Sequence, residues 1–222
     1  MNRLPVWFRQ HIAALRTLLV FTVICGIIYP LVMWGIGQVA FHNQANGSLV
    51  TYNGKVVGSS LLCQEFVNAK GDPLPQYFQP RPSNAAESSE PTDYGCDPTD
   101  SGASNLGPTN PVLVKLIQQR QQQIAAFDHV SVSQIPPDAV TASGSGLDPD
   151  ISPQNADIQI DRVAAARHLP VSEVQALVNK YTQGWVIGIL GEPRVDVLNL
   201  NLALDELPGQ AKYAGGGAGE GS

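Results

Sequence analysis

From Thr17 to Phe41 the chain runs 25 residues without an Asp, Glu, Lys or Arg. As a helix this stretch reaches roughly 37 Å at about 1.5 Å per residue, enough to cross a hydrocarbon core of about 30 Å with some tilt. Arg3, Arg9 and Arg16 precede it without any acid, and the first charges after it are Lys55 and Glu65. The positive-inside rule therefore predicts a cytoplasmic N-terminus over 1–16, a membrane span over 17–41 and an extracytoplasmic remainder from His42. A cleaved signal peptide has an apolar core of only about 7 to 15 residues and a small-x-small cleavage site. Gln38-Val39-Ala40 matches that site poorly, so the run reads as a retained anchor. Pro30 should kink the span. Gly26, Gly35 and Gly37 either admit a neighbouring helix or reflect the general abundance of glycine in spans.

Beyond the span the periods change. Val50–Val57 is two β-prone runs about Asn53-Gly54, a hairpin signal, and Leu61 to Phe66 continues as strand or short helix. Lys70 to Pro111 is crowded with Pro, Gly, Ser, Asn and Asp and reads as a long loop, ordered or disordered. Within it, Tyr77 to Ser83 (YFQPRPS) carries aromatics that either pin the loop to a core or bind something. Asn110-Pro111 starts a helix, with Leu113, Leu116, Ile117, Ile124 and Phe127 on one face and Gln118 to Gln123 opposite; it should end before Pro136. Ser152-Pro153 repeats the signal for a helix to Leu169, stopped by Pro170. Ser172 and Gln175 suggest a capping box for a third helix along Val174, Leu177, Val178 and Tyr181, closed by Gly184. Leu198, Leu200, Leu202 and Leu204 alternate with Asn199, Asn201 and Ala203, the period of a half-buried strand. The expected fold is α+β: one domain over 42–207 with a small sheet and about three helices, and a disordered Gly/Ala-rich tail over 208–222.

Composition changes this picture in three ways. The chain has 13 basic and 19 acidic residues; without the three leading arginines it has 10 against 19, a net charge of −9. Such a surface argues against nucleic acid; it suits a cationic ligand, or simply solubility. Cys25 lies in the span, which leaves Cys63 and Cys96 on the oxidising side, able to form one disulfide. His11, His42, His129 and His168 are scattered without zinc-ligand spacing.

Catalytic motifs are missing. There is no G-x-x-x-x-G-K-[ST] and no H-E-x-x-H, and Gly144-Ser145-Gly146 lacks the strand–turn–helix context of a nucleophile elbow. Asp97, Asp100, Asp148 and Asp150 sit beside prolines in turns, where carboxylates bond the backbone. Arg162 and Arg167 on the middle helix are either paired or available to an anion. Two loops, Asp100 to Pro111 and Val140 to Pro153, place small, hydroxyl and amide residues directly before helix N-termini. Ser101, Gly102, Ser104, Asn105, Thr109, Asn110, Ser143 and Ser145 are accordingly the candidate nucleotide or partner contacts, against the alternative that they are capping turns.

These two loops, following a single N-terminal span and flanked by GSSLLCQEF (Gly58 to Phe66), YFQPRPS and ILGEPRVDVLNLNLALD (Ile189 to Asp205), resemble the C subunit of the Kdp potassium-transporting P-type ATPase, from about Arg9 to Leu207. Ala103 and Asp196 depart from the family pattern, where Gly and Asn are usual. The resemblance implies a single-pass cell-membrane protein that is not an enzyme in its own right and has no cofactor of its own. Its implied partners are a channel-like potassium-binding subunit, a P-type ATPase catalytic subunit and a small hydrophobic subunit. The family's C subunit is described as a catalytic chaperone that raises the ATP affinity of the catalytic subunit, so ATP would be shared with that subunit. The alternative is an outer cap or ion-entry domain with no ATP contact; less favoured is a free-standing anchored binding domain.

Overall fold

The computed structural model describes residues 5–68, 70–85 and 95–209. It divides into two units, Met1–Ser48 and Leu49–Ser222. The first is the apolar helix, continuous over Val6–Ala40 and longer at its N-terminal end than the charge-free run. It consists of α1 (Val6–Val23), a π turn (Ile24–Ile28) and α2 (Tyr29–Ala40), followed by the single turn α3 (His42–Ala45). The π turn answers Pro30. Proline has no N–H to give to the carbonyl four residues back and its ring crowds that carbonyl, so the turn widens and the Tyr29 N–H donates to Ile24 O, five residues back.

The second unit opens with the antiparallel hairpin β1 (Leu49–Tyr52) and β2 (Lys55–Ser59). Asn53 and Gly54 both have positive φ, 50° and 76°, as the two central residues of a type I′ turn require. Leu61 to Phe66 is neither strand nor helix but irregular chain. Two helices start where the sequence signals stand, with an unpredicted single turn between them. α4 (Pro111–Asp128) is capped by Asn110, whose Oδ1 accepts from Val112 N at 2.8 Å; α5 (Pro137–Val140) is a single turn; and α6 (Pro153–Arg167) is capped by Ser152, whose Oγ accepts from Asn155 N at 3.0 Å. α4 and α6 end at His129 and His168 in the left-handed conformation.

α7 (Val171–Tyr181) starts without the expected capping box. Its N-cap is Pro170, whose carbonyl accepts from Glu173 N and Val174 N, and Ser172 lies inside the helix. It is closed by Thr182 rather than Gly184, because Thr182–Gln183 turns directly into strand β4. A three-stranded sheet is ordered β3 (Asp150–Ile151), β5 (Arg194–Asp196), β4: β5 pairs with the nearby β4 and with β3 more than forty residues away.

The largest correction falls on residues 197–205. They form α8 (Val197–Asp205), not a strand. Every residue of α8 except Asn199 is buried; a helix buried on all sides is not required to show a 3.6-residue apolar stripe, so leucines at every second position imitate strand alternation. Asp196 caps it, Oδ1 accepting from Asn199 N at 2.8 Å. Around α8 pack Phe66, Phe78, Ile151, Ile160, Val163, Val174, Val178 and Val195, with Tyr52, Leu169 and Leu177 at the margin. The α+β mixture stands, with the second half more helical than the Leu/Asn alternation predicts.

Candidate functional site

The long segment before α4 is held by buried polar side chains rather than by regular structure. Asn201 on α8 receives Phe78 N at its Oδ1 (2.8 Å) and donates to Phe78 O (2.9 Å). Gln159 on α6 does the same for Gln79, accepting from its N at 2.7 Å and donating to its O at 3.2 Å. Arg162 pairs with Asp128 at 2.6 Å and donates to Pro75 O and Tyr77 O. Arg167 pairs with Asp205 at 2.7 Å and donates to Gln76 O, and the Tyr77 hydroxyl donates to the other oxygen of Asp205. Burial and the neighbouring Asp205 carboxylate push the Tyr77 hydroxyl above its ordinary range. Both arginines are therefore paired and buried, and the YFQPRPS aromatics are core side chains.

On this base the two Gly/Ser loops meet. Gly102 N and Ser101 Oγ both donate to Ser145 O, at 2.9 and 3.0 Å. Gly146, φ 74°, lies under the junction, where an added Cβ would come within 2.6 Å of Gly102 O and 2.8 Å of Ala85 N. Ser83, the last residue of YFQPRPS, donates to Gly146 O at 2.6 Å and accepts from Ala85 N and Cys96 N. The Cys63–Cys96 disulfide stands alongside, with Cys63 N donating to Leu147 O at 3.0 Å. Arg81 reaches Asp148 at 2.9 Å from the other side.

The candidate residues fall into two groups. Ser101, Gly102 and Ser145 come together, with the buried Ser143 beneath accepting from Gly146 N at 2.7 Å. Ser104, Asn105, Thr109 and Asn110 run on toward α4 and make local bonds where they make any: Ser104 Oγ accepts from Leu106 N, Asn105 Nδ2 donates to Ala103 O, Asn110 caps the helix, and Thr109 is exposed. The hydroxyl hydrogen bonds of Ser101, Ser104, Ser143 and Ser145 all go to backbone groups, so no Ser–base pair of the kind nucleophilic catalysis uses is formed by these hydroxyls. Among the described residues no three His, Cys, Asp or Glu side chains cluster to hold a metal. Two acids nearby are perturbed. Thr99, donating from both hydroxyl and backbone, holds the exposed Asp97 carboxyl below its usual value, while burial raises Asp150 against the opposing Arg194 at 2.9 Å.

Ser83 and Gly146 were not singled out from sequence as site residues. Ser83 could have been found only as the end of the YFQPRPS motif, and Gly146 as the second Gly of Gly144-Ser145-Gly146. A cleft of about 730 Å³ lies between the same long segment, α4 and α6, with Arg81, Arg120, Gln79 and Asn155 among its walls.

The profile of the family described as "K+-transporting ATPase, c chain" matches residues 11–206. A potassium-transporting ATPase KdpC subunit of Paraburkholderia phytofirmans is 50% identical over 188 residues, 85% of this chain and 92% of the relative. Subunits of the same name from Kineococcus radiotolerans and Mycobacterium tuberculosis are 47% and 46% identical, covering 88% and 90% of this chain and 93% and 99% of the relatives.

Proposed function

The chain belongs to the KdpC family, the C chains of the potassium-transporting ATPase, and from that premise we propose that it is a non-catalytic accessory subunit whose soluble unit works on the outer face of the membrane. The role is to assist assembly of the ATP-driven import complex and to cover the ion entry of its channel-like potassium-binding subunit. The observation that carries this reading is the Cys63–Cys96 disulfide, which belongs to an oxidising compartment. It agrees with the three arginines before the span and with the net charge of −9 after it, a sign that gathers cations.

The test is accessibility. With Ser104→Cys in the full chain, a membrane-impermeant maleimide added to intact cells should label the new thiol. Labelling confined to inverted vesicles would place the unit in the cytoplasm and overturn the proposal. Purification in mild detergent should recover potassium-stimulated ATPase together with the catalytic, channel-like and small hydrophobic subunits; recovery of this chain alone argues against it.

The second reading is that the chain raises the ATP affinity of the catalytic subunit. The convergence of Ser101, Gly102 and Ser145 ahead of the α4 and α6 N-termini is what favours it. Against it, the polar side chains there are engaged with the backbone of the same two loops. An ATP dependence of turnover that weakens on Ser101→Ala or Ser145→Ala, in complexes of unchanged composition, would support this second reading over the first.

A further inference from the structure

Between Lys180 and Glu192 there is no charged residue, and among the described residues of the second unit the segment between β4 and β5 carries the most exposed large apolar side chains. Ile187 is 85% exposed and Ile189 78%; Trp185, Val186 and Leu190 are each about half exposed or more. In water these side chains lose the hydrophobic free energy that burial would supply. Most of the backbone N–H groups, by contrast, are bonded within the turn. Val186 N donates to Leu190 O (2.8 Å), Leu190 N to Val186 O (3.0 Å), Ile189 N to Val186 O (3.3 Å) and Gly188 N to Trp185 O (3.4 Å). The turn also holds Ile187, a β-branched residue, at φ 56° next to Gly188 at 77°, a conformation such residues rarely adopt. Four of the six N–H groups of Trp185 to Leu190 donate within the turn, which lowers the cost of taking its backbone out of water, since a hydrocarbon medium offers no partners to a free amide.

We propose that this hairpin, Trp185 to Leu190, inserts its tip into the lipid surface. The chain supplies the bilayer itself. Eight residues, 41–48, connect Ala40 at the end of the apolar helix to Leu49 at the start of β1, a tether of less than about 30 Å even when extended. A tryptophan at the base of an aliphatic tip is the composition found where protein meets the headgroup region. The absence of charge over residues 181–191 sets this tip apart from a surface that recognises ion pairs or headgroup charge, so the interaction is with the acyl boundary.

The test uses the full chain with Trp7→Phe and Trp34→Phe, which leaves Trp185 as the sole tryptophan. The protein is reconstituted in phosphatidylcholine vesicles and in vesicles whose acyl chains carry bromine. Insertion predicts loss of most of the Trp185 emission in the brominated vesicles and little quenching by aqueous iodide. Adding Ile187→Asp and Ile189→Asp should restore the emission and expose Trp185 to iodide, with the thermal transition unchanged because neither side chain packs on the core. Equal emission in both vesicle types with full iodide quenching overturns the proposal. Shielding from both quenchers that appears only when the other subunits are co-reconstituted also overturns it, and makes the tip a protein-docking surface instead.

Discussion

Removing the Asp205 carboxylate tests whether the buried ion pairs hold the long segment in place. Asp205 and Arg167 are 0% and 2% exposed at their side chains and 2.7 Å apart; Arg167 also lies over the Tyr77 ring at 4.6 Å. Asp205→Ala leaves a guanidinium charge in a site closed to water and takes the acceptor from the Tyr77 hydroxyl. Breaking one side of such a pair costs about 3–5 kcal/mol. The orphaned hydroxyl belongs to the same network, so its cost of about 1–3 kcal/mol is largely contained in that figure rather than added to it. At about 2–4 °C per kcal/mol for a unit of this size, the transition should fall by about 6–20 °C. The double variant Arg167→Met with Asp205→Leu removes both charges and should recover most of the loss. What remains is the Gln76 carbonyl that Arg167 no longer serves and the Tyr77 hydroxyl that has lost its Asp205 acceptor, about 1–3 kcal/mol in all. Thermal melts of the unaltered chain, Arg167→Met, Asp205→Leu and the double variant in detergent, followed by near-UV circular dichroism, close the cycle. Hydrogen exchange should show Phe78 and Gln79 amides opening in the single variants. Single variants that each lose less than about 1 kcal/mol, or a double variant that loses the sum of the two, would refute the argument.

Three other outcomes follow from the same geometry. Burial is the largest influence on Asp196 and raises its carboxyl above the usual 3.8, with the Asn199 and Leu198 backbone bonds opposing. A raised folded value means its contribution is present below the unfolded value and lost as pH rises through the folded one. Asp196→Asn, which keeps the cap acceptor without the charge, should therefore raise the melting temperature at neutral pH and flatten its decline above about pH 4. Gly146→Ala forces a Cβ to within 2.6 Å of Gly102 O at φ 74°; melts should show a loss on the order of 1–3 kcal/mol, and proteolysis should open the loop junction first. Reducing the Cys63–Cys96 bond, which closes 33 residues of chain, should cost about 3–4 kcal/mol by loop entropy, read as a lower denaturant midpoint in dithiothreitol.

What was legible in the sequence was local. Asn53-Gly54, Asn110-Pro111 and Ser152-Pro153 each state a backbone geometry within a few residues, and the hairpin, α4 and α6 start where these signals stand. The α8 segment was misread because its polar positions are not outward-facing. Asn201 is fully buried and bonded to Phe78, and Asp205 to Arg167 and Tyr77; these partners lie between 38 and 128 residues away, so no window along the chain could reveal them. The β3–β5–β4 sheet is hidden for a related reason: strands of two or three residues carry no period, and β3 meets β5 only after α6 and α7 have intervened along the chain.

The same distinction bears on the candidate site. Sequence alone identified two hydroxyl-rich loops before helix N-termini, a pattern equally good for holding an anion and for capping a turn. Ser143, Ser145 and Ser104 each turn an oxygen to a backbone N–H two or three residues ahead, while Ser101 reaches across to the other loop. Donors and acceptors used to build the junction are not available for a ligand unless the junction opens. Any opening must work against the disulfide, the Ser83–Gly146 contact and the Arg81–Asp148 pair at once. The cross-linked junction therefore favours the proposed accessory role over a binding cycle that requires its loops to part. The accessibility of Ser104 and the serine-to-alanine variants address this point directly.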